Sequence, residues 1–207
     1  MNRLHTSFVL GYHGCSETTG EDVLAGRVVM KISDKQYDWL GPGIYFWEAD
    51  PVRALEWARS KEPAAPFVVG AIIDLGNCLD LMSRRSLKVL RGAYESLKAA
   101  HDKSPSFGPF PENKKADIHD EDRRGRYLDC AVVKHLQALM EHRGDQPFDT
   151  VRGLFTEGGE LFPGSGFSAK THVQVAVRSE ANIKGYFRVS LAIYPSQGMT
   201  LCSPAVS

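Results

Sequence analysis

The sequence predicts an α+β fold built on a mostly antiparallel sheet, with a helical segment inserted in its middle. Strand-like runs lie towards both ends of the chain, whereas two long amphipathic patterns occupy its centre, at about residues 82–145. Strands grouped apart from helices are typical of α+β proteins, because a parallel α/β sheet needs the two to alternate. The chain has 207 residues, 43% of them hydrophobic, so we treat residues 1–207 as a single domain with its own core.

The N-terminal part of the chain is predicted to form strands joined by short helices. The segment TSFVLGYHG (6–14) is rich in β-branched and aromatic residues and ends in glycine, so it predicts a strand that runs into a turn. TGEDVLAGR has an acidic start and reaches a glycine, which predicts a short helix. GIYFWE predicts a second strand, and the Asp50–Pro51 pair after it is a preferred start for a helix.

The rest of the chain is predicted to hold a central strand, two long helices and a C-terminal group of strands. FVVGAIIDL (67–75) is apolar almost throughout, as a central strand is expected to be. Apolar residues at helical spacing in SRRSLKVLRGAYESLKAAHD and YLDCAVVKHLQALMEH predict the long helices, which a polar, proline-bearing loop connects. Strand patterns follow in TVRGLF, THVQVAVR and IKGYFRVSLAIY, the last of which predicts a strand pair.

Charge and cysteine usage narrow the classes of function. The 25 basic residues balance 25 acidic ones, so the chain as a whole does not attract nucleic acid or membrane, although a local basic patch stays possible. The four cysteines are scattered without a C-x-x-C pair, and no apolar run approaches the roughly 20 residues of a membrane span. We therefore expect a reduced, cytoplasmic protein without a disulfide, a zinc site or a membrane partner.

Two glycine-flanked motifs place aromatic and polar groups at strand ends. His13 and Gly14 end the first strand, where the histidine is expected to hydrogen-bond and the glycine to let a ligand approach the backbone. In GPGIYFWEADPVRALEWA (41–58), Tyr45 and Trp47 share one face of the strand and can form a platform for a flat ring. The competing explanation for both motifs is structural: a turn histidine at the surface and aromatic core packing.

The helix after this strand repeats the combination of small and large residues. Ala54 and Trp57 are three positions apart and lie on one face, so a small residue beside a large ring leaves room for a planar ligand. Spacing alone favours core packing for such a ring. A binding role therefore needs support from elsewhere in the chain.

The third motif lies on a late strand that follows a glycine-rich loop. In THVQVAV, His172 and Gln174 share the face opposite the valines. The loop before it combines four glycines with acidic and aromatic side chains, as expected of a segment that contacts a partner. The loop residues of interest are Glu157, Glu160, Phe162 and Phe167.

Together, YHG, GPGIYFWEADPVRALEWA and THVQVAVRSEANIKGYF resemble the NAD-dependent ADP-ribosyltransferases of the diphtheria-toxin and poly(ADP-ribose)-polymerase type. That family has a His–Gly pair ending its first strand, then a Gly-x-Gly-Ile-Tyr-Phe strand leading into a helix. A late strand carries a glutamate or a substitute for it. The motifs occur here in the same order, and the resemblance covers both ends of the chain but not residues 82–145. It implies a split antiparallel sheet, NAD as co-substrate and no metal.

The resemblance implies a role for each residue that matches these motifs. His13 is expected to hold a ribose hydroxyl, and the backbone of Gly14 to pair with the carboxamide of nicotinamide. Tyr45 is expected to pack against the nicotinamide ring, and Trp57 to supply the stacking ring from the helix. Ala54 stands where the family has a small hydroxyl residue, and alanine cannot make that side-chain hydrogen bond.

The late strand carries the departure that bears most on the reaction. Gln174 stands where chain-forming polymerases have glutamate, and a neutral amide hydrogen-bonds but does not take up a proton. Transfer of a single ADP-ribose unit is therefore expected rather than polymer synthesis. His172 occupies the place of an acceptor-recognising residue and is a candidate base, with Glu157 or Glu160 as rivals.

The nature of the acceptor stays open at this level. The resemblance suggests a bacterial toxin, of the toxin–antitoxin or phage-defence kind, with an antitoxin partner and a macromolecular acceptor: RNA, another nucleic acid or protein. Phe155, Phe162 or Phe167 could stack on a base. Several basic residues could meet phosphates, although solvated surface explains them equally well: Lys114, Lys115, Arg123, Arg124 and Arg126. Two alternatives are a catalytically weak module that binds ADP-ribose or NAD, and an NAD glycohydrolase that uses water as acceptor.

Overall fold

The computed structural model describes residues 8–103, 108–115, 122 and 124–190. In these residues the chain forms a seven-stranded sheet and four α-helices, which confirms the α+β class. The strands are β1 (Phe8–Ser16), β2 (Ile44–Glu48), β3 (Pro66–Asp74), β4 (Cys78–Asp80), β5 (Thr150–Phe155), β6 (His172–Val177) and β7 (Ile183–Arg188). The helices are α1 (Glu17–Leu24), α2 (Pro51–Lys61), α3 (Arg84–Lys103) and α4 (Tyr127–His142).

The sheet has the order β4-β5-β6-β2-β1-β3-β7. All neighbouring strands are antiparallel except β4 and β5, which are parallel. The predicted central strand is β3, which is interior but lies second from one edge, while β2 holds the middle position. The first half of the predicted C-terminal strand pair forms β7, and residues 191–194 of that pair lie outside the described residues.

Local sequence signals set the starts of the two short helices. The Asp50 side chain accepts a hydrogen bond from the amide of Arg53 at 2.9 Å, with Pro51 in the first helical turn, as the sequence predicts. The hydroxyl of Ser16 accepts from the amide of Thr19 in the same way at the start of α1. Both helices therefore begin directly where a strand ends, which fixes their position over the sheet.

Helices cover both faces of the sheet. On one face, Ile44 and Phe46 of β2 are buried together with Val23 of α1 and the loop residue Met30. On the other face there are two separate apolar clusters. The first cluster packs α2 on β1, β2 and β3, and its buried residues are Tyr12, Trp47, Ala54 and Val68. The second cluster packs α3 and α4 on β4, β5 and β6, and its buried residues include Leu79, Ala93, Val133, Val151 and Ala176.

The boundary between these two clusters runs along β2. Trp47 belongs to the α2 cluster, whereas Tyr45, on the same strand face, packs against the α3–α4 cluster. Both long helices lie within the predicted range 82–145 and build the second cluster. The candidate residues of β2 and β6 therefore lie where two helical layers meet.

Two further findings concern membranes and cysteines. In the described ranges, no helix is long and apolar enough to cross a bilayer. Cys15, Cys78 and Cys130 carry free thiols, and Cys202 lies outside the described residues. Burial raises the pKa of Cys15 and of Cys78 to about 11 in each case, so both thiols are protonated and unreactive at neutral pH.

Candidate active site

Strands β1 and β2 separate at His13 and Gly14. The two strands pair only at Gly11–Glu48 and Tyr12–Trp47, although β1 stays paired with β3 as far as Ser16. Because hydrogen-bonded pairs alternate along an antiparallel ladder, a longer ladder would next join Gly14 to Tyr45. Instead, Nδ1 of His13 donates to the Tyr45 carbonyl at 2.7 Å. The histidine side chain thus replaces the ladder, and the sheet splits beside Gly14.

This hydrogen bond also fixes the protonation of His13. A carbonyl oxygen only accepts, so Nδ1 carries the hydrogen and the neutral ring presents Nε2 as an acceptor. Burial lowers the pKa of His13, and the bond to the Tyr45 carbonyl offsets this only in part. Nε2 has no hydrogen-bond partner among the residues that the structure describes. His13 therefore offers one acceptor atom at the split, as the predicted role for a ribose hydroxyl requires.

Gly14 is required by packing as well as by its position at the split. A Cβ on Gly14 would lie 2.2 Å from the Ala54 carbonyl oxygen and 3.1 Å from the Cβ of Ala58. The space beside its α-carbon is thus filled by α2, so no ligand can approach Gly14 from that side. By strand alternation, its N–H and C=O point instead towards the gap left by β2. A ligand can reach Gly14 only through these backbone groups.

Ala54 is not a binding residue. Its side chain belongs to the cluster that packs α2 on the sheet, and the residue has no exposed surface. A ligand that enters from solvent cannot contact it, so the predicted binding role of Ala54 is wrong. The small residue on α2 serves the close approach of this helix to Gly14 on β1.

Trp57 is the accessible ring near the split. It is 40% exposed, and its ring centre lies 6.4 Å from His13 and 6.0 Å from Trp47. Trp47 itself is only 8% exposed and belongs to the core under α2, so the predicted platform does not include it. The indole Nε1 of Trp47 is buried without a hydrogen-bond partner in the described part of the chain. Such an orphaned donor costs about 1–3 kcal/mol.

Tyr45 is anchored through its hydroxyl. The hydroxyl accepts from the amide of Leu40 at 2.9 Å and donates to the carbonyl of Gly41 at 2.7 Å. Gly41 has a φ of 76°, a conformation that suits glycine, so the GPG turn and the tyrosine fit each other. Burial raises the pKa of Tyr45. The hydroxyl therefore holds the turn, and only the half-buried ring is left for contact with a ligand.

Gln174 is held in one orientation by His172. Nδ1 of His172 donates to the carbonyl of Lys170 at 2.8 Å, so Nε2 is the acceptor of the neutral ring. The amide nitrogen of Gln174 donates to this Nε2 at 2.9 Å. The amide nitrogen of Gln174 is therefore occupied by His172, and the carbonyl oxygen is the side-chain atom that remains free to accept a hydrogen bond. Gln174 also pairs in register with Trp47 on β2.

His172 does not act as a base in this arrangement. Its side chain has no exposed surface, and both ring nitrogens are hydrogen-bonded. A general base must reach the nucleophile directly or through one water molecule. The predicted catalytic role is therefore wrong, and His172 is a positioning residue for Gln174.

The first acidic residue of the predicted acceptor loop is tied to α2. Glu157 is 9% exposed and forms an ion pair with Arg53 at 3.0 Å. Arg53 also binds Glu56 at 2.6 Å, while the Glu157 carboxylate lies 3.8 Å from Nδ1 of His172. Sequence reasoning missed Arg53, although its spacing of four from Trp57 places both on one face of α2. This ion pair fastens the base of the loop beside the exposed tryptophan.

The rest of the loop forms a short hairpin over residues 159–169. Glu160 and Ser168 form an antiparallel bridge, and the Glu160 carboxylate accepts from the amide of Gly164 at 2.9 Å. The apolar side chains of Leu161, Phe162 and Phe167 are 57%, 56% and 71% exposed. Exposed apolar residues grouped on one element are typical of a surface that contacts a partner.

Phe155 and Arg126 are held by contacts within the fold, whereas Lys114, Lys115 and Arg124 are exposed. Phe155 is half-buried, with ring centres 4.3 Å from Trp39 and 5.8 Å from His172, so it is not available to stack on a base. The Arg126 guanidinium lies over Trp39 at 4.7 Å and forms an ion pair with Asp129 at 3.4 Å. Lys114 lies 5.9 Å from the ring of Tyr127. Arg123 lies outside the described residues.

The site thus brings His13, Gly14 and Trp57 together around the split, with Tyr45 held by His13 and Gln174 across β2, in register with Trp47. Within the described ranges, no group of three or more His, Cys, Asp or Glu residues is placed to hold a metal ion. No protein-family model, curated protein or solved structure matches this chain.

Proposed function

We propose that this chain is a mono-ADP-ribosyltransferase that uses NAD as co-substrate. One observation carries the proposal: His13 takes the Tyr45 carbonyl from the ladder, so the backbone of Gly14 faces a gap beside an exposed tryptophan. The break between β1 and β2 supports a split-sheet fold of the ADP-ribosyltransferase kind. The motifs that resemble that family are the same segments that form the gap.

The groups around the gap match the nicotinamide end of NAD. The N–H and C=O of Gly14 form a donor–acceptor pair, which is the complement of a primary carboxamide. Trp57 offers an exposed face for a flat ring, and Nε2 of His13 accepts from a ribose hydroxyl. Tyr45 closes the slot with its ring while its hydroxyl holds the turn.

The proposed reaction exchanges one bond at the ribose carbon C1′. The bond from C1′ to the nicotinamide nitrogen breaks, and its electron pair leaves with nicotinamide, which changes from a cation to a neutral molecule. An oxygen or nitrogen of the acceptor then bonds to C1′ and releases its proton to water or to Glu160. The carbonyl oxygen of Gln174 points its negative end towards the positive charge that develops on the ribose.

Transfer of one unit follows from the chemistry of Gln174. Its amide cannot take a proton from the hydroxyl of a previously attached ribose. Glu157 is occupied by its ion pair with Arg53, and His172 is enclosed. The chain therefore lacks, among these positions, the carboxylate that polymer growth would use.

We assign acceptor recognition to the hairpin of residues 159–169. Phe162 and Phe167 are exposed there, and the ion pair between Arg53 and Glu157 links this hairpin to α2. An aromatic tip suits a protein surface or an unstacked base of RNA or DNA equally well. A toxin of this kind would be neutralised by an antitoxin that covers the hairpin or the gap.

A binding module is the second candidate, and one observation favours it. Glu157 and His172, two of the candidate bases, are both engaged and offer no free group. A chain that holds NAD or ADP-ribose without transferring it would keep this arrangement. An NAD glycohydrolase would instead use water from the open side of the gap.

NAD consumption by the purified chain separates these functions. The assay uses NAD radiolabelled in the adenylate part, with and without cell lysate, and follows label into the protein, RNA and DNA fractions. Consumption that needs lysate and labels one fraction supports transfer. Consumption without an acceptor indicates a glycohydrolase, and binding without consumption indicates a module; either result refutes the transferase.

Two variants connect that assay to the site. Trp57→Ala removes the exposed ring and is expected to reduce labelling at least tenfold. Phe8→Ala removes a ring that is 57% exposed at the opposite end of β1, and labelling should stay within twofold of wild type. Equal loss in both variants would place the activity elsewhere.

A further inference from the structure

A second recess lies between α3, α4 and the sheet, apart from the split at Gly14. Its volume is about 350 Å³. Leu90 and Tyr94 of α3 line it together with Leu128 and Val132 of α4, and the rings of Trp39 and Phe155 are also part of the lining. None of these residues belongs to the proposed nicotinamide slot.

The size of the recess points to a small molecule. Small-molecule sites range over about 300–1,000 Å³ and have mainly apolar walls. A protein partner normally covers roughly 800 Å² on each side, which a recess of this size between two helices does not provide. Leu87 is 48% exposed at the recess, so the apolar lining is open to solvent and able to receive a ligand.

The charges at the recess indicate that this ligand is uncharged. The lining includes one basic and one acidic residue, Arg91 and Asp129. Arg91 is paired with Glu95 at 3.1 Å, and Asp129 with Arg126 at 3.4 Å. Neither is left to neutralise a ligand of either sign, and a charged molecule would lose hydration without gaining a partner.

The aromatic rings of the lining indicate the shape of the ligand. Trp39 and Phe155 meet at 4.3 Å with an angle of 61° between their planes, and Tyr94 adds a third ring to the lining. Aromatic walls favour an aromatic occupant, because edge-to-face and offset contacts add to the apolar burial. We propose that this recess binds an uncharged, ring-containing apolar small molecule, independently of the NAD reaction.

The recess also adjoins the support of Gln174. The ring of Phe155 lies 5.8 Å from His172 on one side and lines the recess on the other. An occupant would therefore contact the residue that packs against the positioning histidine. The binding experiment does not require that an occupant act on His172 through Phe155.

The uncharged fluorescent probe N-phenyl-1-naphthylamine tests the proposal. Titration into the wild-type chain, with direct excitation of the probe, is expected to give a saturable fluorescence increase at one probe per chain. Leu90→Trp fills the recess and should weaken binding at least tenfold. Val89→Trp is the matched control, because Val89 is on the same helix, 40% exposed, and not part of the lining; its affinity should stay within twofold of wild type.

Leu87→Trp keeps the test decisive if the first variant does not fold. Leu87 stands at the exposed side of the recess, so a larger ring there blocks entry without disturbing buried packing. Thermal melting of each variant shows whether it is folded. Absence of saturable binding to wild type overturns the proposal, as does binding that both filling variants retain or that Val89→Trp loses equally.

Discussion

The ion pair between Arg53 and Glu157 fastens the loop of the proposed acceptor site to α2, and its removal is the most informative perturbation of stability. The two residues are 104 positions apart in sequence. Their side chains are 19% and 11% exposed, with 3.0 Å between Nη2 and Oε2. Glu157→Gln removes the charge at nearly constant size, and Arg53→Met removes the cation but keeps much of its apolar stem.

The expected magnitude lies between those of exposed and buried pairs. Exposed pairs contribute about 0–1 kcal/mol, whereas breaking a fully buried pair costs about 3–5 kcal/mol because a charge is left without a partner. In Glu157→Gln the guanidinium keeps its 2.6 Å contact with Glu56, so the cation is not left alone. We therefore expect Glu157→Gln to lower the free energy of unfolding by about 1–2 kcal/mol, with a coupling energy to Arg53 near ~1 kcal/mol.

Urea unfolding of wild type, both single variants and the double variant measures that coupling. Glu95→Gln is a matched control, because the pair of Glu95 with Arg91 has side chains 63% and 81% exposed, and its effect should stay within about 0.5 kcal/mol. Chymotrypsin cleavage after Phe167 should accelerate in Glu157→Gln. Single-variant effects that add within about 0.3 kcal/mol would refute the role of this pair as a fastening.

Three further predictions concern backbone geometry and titration. Gly14→Ala places a Cβ 2.2 Å from the Ala54 carbonyl oxygen and should lower the free energy of unfolding by about 1–3 kcal/mol or more. Gly92→Ala in α3 places its Cβ where no atom lies within 4 Å, so this control should raise the free energy of unfolding by up to about 1 kcal/mol. Urea unfolding in which both variants behave alike would contradict the packing of α2 on β1. Burial lowers the pKa of His13 below the 6.5 of an ordinary histidine, so the unfolded chain binds more protons there, and the stabilisation present above pH 6.5 is lost as the pH falls through the lowered value. The difference in unfolding free energy between wild type and His13→Gln should therefore shrink towards acid, and a difference that grows would reverse the sign. Ala49 has a φ of 55°, a left-handed backbone conformation that glycine adopts more readily than alanine. Ala49→Gly should therefore increase the free energy of unfolding by about 0.5–1 kcal/mol and raise the melting temperature. A lower melting temperature would show that this conformation is not strained.

Features set by neighbouring residues were predictable from the sequence. The alternation in β2 and β6, the periodicity of α3 and α4, and the Asp50–Pro51 start of α2 are local, and the structure contains them. These predictions succeed because each depends on spacing within one element.

Features set by contacts between distant elements were not predictable in this way. Alternation placed His172 on the face of Gln174, but burial against Phe155, from another strand, decides that it cannot act as a base. Ala54 and Gly14 were each interpreted as making room for a ligand, whereas the two residues make room for one another. A pattern within one segment shows which residues are small, and only the packed fold shows what fills the space.

The proposed function depends on the backbone of Gly14, which has no partner on β2 where β1 leaves that strand, receiving the nicotinamide end of NAD. Nitrogen–proton correlation spectra of the labelled chain, titrated with NAD and with nicotinamide alone, test it directly. The account predicts saturable shifts of the Gly14 amide and the Trp57 indole with both ligands. Shifts confined to other regions, or none at millimolar ligand, would contradict it.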